Sequence, residues 1–78
     1  MHDPAKYPAG ALVRVVSPRE LERFFRSWKF DHPLRPEQLQ YGGQSARVVR
    51  SMMYGGGNIL YELDGIPGIW HEACVEGV

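Results

Sequence analysis

Residues 45–63 read SARVVRSMMY-GGG-NILYEL, and this stretch decides the fold. Two runs rich in β-branched, aromatic and long apolar residues flank Gly55-Gly56-Gly57, the pattern of two antiparallel strands joined by a loop. The triplet lacks the Lys and Ser/Thr of a phosphate-binding loop and leads into no helix, so it reads as a hairpin tip. Downstream, Asp64-Gly65 marks a turn and Ile66-Pro67-Gly68 extends the bend. Ile69–Glu72 (IWHE) reads as a short strand, and Ala73–Glu76 as a turn followed by a last edge strand.

Upstream, Ala11–Val16 (ALVRVV) predicts a first strand, bounded by Gly10 and Ser17-Pro18. The pattern then changes. Ser17, Pro18 and Glu20 occupy N-cap, N1 and N3 of a helix with a capping box. Leu21, Phe24, Phe25 and Trp28 follow on one helical face, so a helix is predicted over 18–28. Lys29–Gln44 holds His32-Pro33, Arg35-Pro36 and Gly42-Gly43, which leaves room for one helical turn at Pro36–Leu39.

With 78 residues the chain is one domain at most. It divides into an arm, residues 1–9, which holds Pro4 and Pro8 and has no apolar period, and a single domain, residues 10–78, that opens on Gly10. One cysteine excludes an internal disulfide and fits a reducing, cytoplasmic setting. No apolar run approaches the roughly 18 residues of a membrane span, and the opening residues do not read as a signal peptide. Nine basic and nine acidic residues balance, but unevenly: all the Lys and Arg lie in residues 1–50, and residues 51–78 carry only acids. A pI near 6.8 argues against a polyanion-binding domain.

A strand, an inserted helix and loop, a hairpin, a Trp-bearing strand and a terminal edge follow the order of a small SH3-like barrel. The fold class expected is therefore mainly β, about five strands with one helix after the first. Gly10-Ala11-Leu12-Val13-Arg14-Val15 resembles the opening of such barrels, and Gly42-Gly43-Gln44-Ser45-Ala46-Arg47-Val48 their second strand. Leu60–Leu63 and Trp70-His71-Glu72 resemble the paired third and fourth strands. Within the class the chain resembles the electron-transport accessory group, which includes the variable chain of ferredoxin–thioredoxin reductase and the barrel of the nitrile hydratase β subunit. His32-Pro33-Leu34-Arg35-Pro36 through Tyr41-Gly42-Gly43 is similar to the nitrile hydratase β pattern, although Arg35 abuts Pro36 and the stretch to Tyr41 is longer. The resemblance implies a bacterial-type accessory protein that braces an enzyme subunit. It carries over no catalytic residue and no cofactor.

Arg19, Arg23 and Arg26 form one stripe, with Glu22 placed to pair with Arg26. The stripe reads either as a solvated helix face or as a partner surface. Phe24, Phe25, Trp28 and Phe30 crowd one short helix, more aromatic area than a small barrel easily buries. A protein-interaction module follows, with Arg19, Arg23, Phe25, Arg26, Trp28 and Phe30 at its surface and an acidic or apolar partner, a second copy included. The alternative is a nucleic-acid-binding barrel using Arg23, Arg47 and Arg50 on phosphates and Tyr54 or Tyr61 for stacking. A third reading makes His71 and Cys74 reactive groups. No His-Glu-x-x-His motif is present, and His2, His32, His71 and Cys74 are too dispersed to spell a metal site. Trp70 is expected to point inward, with Cys74 as a small buried hydrophobe.

Overall fold

The computed structural model describes residues 5–54 and 57–78. In chain order they form strand β1 (Leu12–Val15), helix α1 (Pro18–Ser27), a 3₁₀ turn (Pro36–Tyr41), β2 (Ser45–Tyr54), β3 (Asn58–Leu63), β4 (Ile66–His71), a second 3₁₀ turn (Glu72–Cys74) and β5 (Val75–Gly77). All pairings are antiparallel, in the order β4-β3-β2-β1-β5. The protein is mainly β, one open sheet with β4 and β5 as its edges.

Strand β2 serves both halves of that sheet. Ser45, Ala46 and Arg47 pair with β1, whereas Val48 to Tyr54 pair with β3. The register shifts between Val48 and Arg50, so Val49 is the extra residue of a bulge that bends the strand. Val13, Val15, Ala46, Val48, Tyr61, Leu63, Ile66, Trp70 and Val75 meet in the core on the concave side, and Leu21, Leu34 and Cys74 complete it. Trp70 does point inward, edge-on to Tyr41, and its Nε1 finds no hydrogen-bond partner among the described residues.

Helix α1 starts as its sequence dictates. Ser17 Oγ accepts from Glu20 N at 3.2 Å and Pro18 occupies the first turn. The return half of the capping box differs: the Ser17 hydroxyl donates to Glu20 Oε1 at 3.4 Å. Such a cap contributes about 1 kcal/mol. The helix closes one residue earlier than expected, with Trp28 extended at its C-cap.

Two expectations change further. Ile66-Pro67-Gly68 is not a bend but the start of β4, because an edge strand accepts a proline whose missing N–H faces away from its neighbour. Residues 5–9 of the supposed arm fold back: Ala5 and Tyr7 pack on the core, and the Tyr7 ring lies 5.8 Å from that of Tyr61. Gly55 and Gly56, in the expected hairpin tip, lie outside the described residues.

Candidate functional site

The α1 aromatics divide by the face they occupy. Phe24 and Phe25 pack partly into the core and Leu21 is buried. Phe25, like Phe24, is partly buried, with part of its ring left accessible. Trp28 is half-buried: its ring stacks on Phe24 at 5.2 Å, and Nε1 donates to Asp31 O at 2.8 Å. Phe30 stands edge-on to Trp28 at 5.2 Å and remains 72% exposed. The Arg stripe is exposed as expected. Arg26 pairs with Glu22 at 2.6 Å, but Arg19, Arg23 and Lys29 have no carboxylate partner among the described residues.

Beneath this corner lies the outer face of β3 and β4. His71, expected to be a surface neighbour of Trp70, is only 5% exposed. Its ring sits 4.7 Å from that of Trp28 and 5.0 Å from that of Phe24, with Leu60 as its cross-strand neighbour. His71 Nε2 lies 2.6 Å from His32 O; a carbonyl only accepts, so this nitrogen carries the proton. Burial lowers the imidazole from its ordinary 6.5, and the facing His32 lowers it further, against the opposite effect of the carbonyl bond. His32 packs its ring 4.2 Å from Tyr54 and has φ 57°, the only positive value outside glycine among the described residues.

The reactive candidates do not assemble. Cys74 is fully buried and its thiol is pushed up to about 12 by desolvation, which suppresses the thiolate that a nucleophile requires. His71 spends its N–H on a carbonyl. No group of three or more His, Cys, Asp and Glu able to hold a metal exists among the described residues, and His2 lies outside them. The stacking surface for nucleic acid is also incomplete. Tyr61 is fully buried; its hydroxyl donates to Glu72 Oε2 at 2.5 Å and accepts from Tyr7 N at 3.2 Å. Burial, reinforced by the Glu72 bond, pushes that phenol up to about 12. Of the expected phosphate ligands, Arg50 pairs with Glu62 at 2.8 Å and Arg47 Nη1 donates to Gly10 O at 3.0 Å.

A groove of about 1030 Å³ that sequence reasoning missed runs between the first 3₁₀ turn and the free edge of β4. Its walls include His32, Pro33, Arg35, Tyr41, Pro67 and Ile69. Gln38 fixes its width: Oε1 accepts from Arg35 N at 2.9 Å, and Nε2 donates to Ile69 O at 3.2 Å. Gly68, at φ 100°, lets the strand approach so closely that a Cβ there would stand 2.7 Å from Gln38 Nε2. A glutamine between a glutamate and a leucine carries no signal of this role.

No helix among the described residues is long and apolar enough to cross a membrane. A scan against protein-family models and searches of curated proteins and of solved structures found no match.

Proposed function

We propose that the chain is a non-catalytic protein-interaction module, an accessory domain that docks on a partner through the corner formed by α1 and the loop after it. The observation that carries this reading is Phe30: 72% exposed and backed edge-on by Trp28, with Lys29 next to it in the chain and Arg19 and Arg23 exposed on α1, all three cations without carboxylate partners among the described residues. A large exposed aromatic ring on a rigid support is the composition of an interface anchor, and free cations at its rim favour carboxylates. The partner that fits is a protein presenting an apolar pocket ringed by acidic side chains. The strand order and the 3₁₀ turn between β4 and β5 support kinship with SH3-like small barrels of the accessory type, a likeness that concerns architecture alone.

The reading is tested by placing a photo-crosslinking residue at position 30 and, as a control, at position 64 in cells that express the chain. The captured protein is then purified and its affinity measured. Phe30→Ala is expected to weaken binding at least about tenfold, the loss typical of a central aromatic anchor. Arg23→Glu is expected to slow association and flatten its salt dependence. Equal capture at both positions, or unchanged affinity of Phe30→Ala, refutes the docking corner. Capture of a second copy of the chain would replace the acidic partner with self-association.

A further inference from the structure

Residues 28–33 connect α1 to the first 3₁₀ turn outside regular secondary structure, and two side chains grip their backbone. Trp28 Nε1 donates to Asp31 O at 2.8 Å, and His71 Nε2 to His32 O at 2.6 Å. The gripped carbonyls are consecutive, and the second belongs to the residue held at φ 57°. A left-handed conformation at a non-glycine residue costs about 1 kcal/mol or more, so the segment is under tension that these contacts offset. The His32 ring closes the far end by packing on Tyr54. The segment also carries Phe30 and contributes His32 and Pro33 to the groove wall.

We propose that residues 28–33 form a proton-sensitive flap, latched when His71 is neutral and bonded to His32 O, and released when the buried His71 charges. Release swings the Trp28–Phe30 pair away from His71 and uncovers this part of the outer face of β3 and β4. The effect on docking rests on the interaction reading above; the flap does not, and it is tested on the isolated chain.

The chemistry follows from what surrounds the imidazole. With Nε2 protonated in the bond to His32 O, acid adds its proton at Nδ1 and places a full charge in a site that is 5% exposed. Phe24 faces it from α1, Trp28 from the residue that ends the helix and Leu60 from β3, while the uncharged thiol of Cys74, in the second 3₁₀ turn, meets the His71 backbone. His32 faces it from the flap and repels it when charged. No ion pair to His71 exists among the described residues. The aromatic faces offset part of the penalty by cation–π attraction, but burial is the larger effect. A histidine whose value in the closed state lies below 6.5 leaves the latch at full strength above that pH. The latch weakens as pH falls from 6.5 through the lowered value.

The test follows the Trp28 indole N–H by NMR between pH 8 and pH 5, with the Trp70 indole and the β2–β3 amides as internal references. The expected result is a local transition with a midpoint below 6.5. After correction for intrinsic exchange, the Trp28 indole and the amides of residues 28–33 should exchange faster below it. Trp70 and the sheet should keep their protection. His71→Phe fills the same aromatic slot without a donor and should show the fast-exchanging state at every pH. His32→Gly keeps the carbonyl and relaxes the backbone strain at φ 57°, so it should stay latched to lower pH. It also carries the test if His71→Phe does not fold. Two outcomes overturn the flap: His71 ring signals that titrate while residues 28–33 do not respond, or loss of protection at Trp70 and the sheet with the same midpoint, which is global unfolding.

Discussion

Gln38→Met removes the side chain whose amide hydrogen-bonds the first 3₁₀ turn to the edge of β4, while keeping its length and flexibility. Two hydrogen bonds go: Oε1 from Arg35 N at 2.9 Å and Nε2 to Ile69 O at 3.2 Å. Each orphaned backbone group costs about 1–3 kcal/mol when fully buried. Arg35 and Ile69 both line the open groove, so water reaches these groups in part, and the low end applies: about 2 kcal/mol for the pair. Burying a thioether in place of an amide returns under about 1 kcal/mol. A net loss of about 1–2 kcal/mol is expected, against a total of about 4–12 kcal/mol for a domain of this size. The melting temperature should fall by about 5–15 °C. Urea unfolding checks this, with an unchanged m-value because the fold and its buried area persist. Gln38→Glu supplies the chemical control. Ionised at pH 7 it sets a carboxylate against Ile69 O; protonated near pH 4 it regains a donor, so it should gain on Gln38→Met as pH falls. A loss under about 0.5 kcal/mol in Gln38→Met, or no pH-dependent gain in Gln38→Glu, would sink the bracing role.

Gly42→Ala isolates a close contact, because the backbone there (φ −52°, ψ 129°) suits alanine, yet its Cβ would stand 2.8 Å from Pro18 Cα. Overpacking against the start of α1 should cost about 1–3 kcal/mol in a urea titration, and a neutral result would show that the helix start shifts freely. Cys74, with its thiol pushed up to about 12, should react with a disulfide reagent at pH 8 about a thousandfold more slowly in the native protein than in urea. Native labelling at the rate of a free thiol would refute its burial.

The hairpin, α1 with its Ser17 cap, and the single turn at Pro36 were legible because each is specified by neighbouring residues: alternation, capping chemistry, and prolines that exclude longer elements. What failed to show in the sequence depends on what lies across the fold. His71 alternates with inward-facing Trp70 and by that rule belongs outside, yet α1 and residues 28–33 lie over that side of β4 and bury it too. Tyr61 was available for stacking until Tyr7 folded back from a segment without apolar periodicity. Pro67 looked like a breaker because nothing local declares that β4 is an edge. The candidate site divides the same way. Phe30 and the Arg stripe were readable from helical spacing and aromatic excess, whereas the His71–His32 contact joins residues far apart in the chain.

The charge arrangement brings these strands together. The sequence sets nine cations in residues 1–50 against an acidic C-terminal stretch, and antiparallel pairing brings members of the two groups side by side. Arg14 meets Glu76 at 3.1 Å across β1 and β5, and Arg50 meets Glu62 at 2.8 Å across β2 and β3. Both pairs are exposed, and each contributes at most about 1 kcal/mol, so their consequence is less stability than the local neutralisation of the sheet surface. The helix lies outside that arrangement. Glu22 answers Arg26, and no carboxylate of the sheet pairs with Arg19, Arg23 or Lys29 among the described residues. Three cations without a carboxylate partner, Arg19, Arg23 and Lys29, thus lie on or next to the helix that leads to the most exposed aromatic ring, while Lys6, Arg35 and Arg47 lie elsewhere. Screening over roughly 8 Å at physiological salt keeps that field local to the Phe30 corner, which suits recognition of a small acidic rim and not of an extended polyanion.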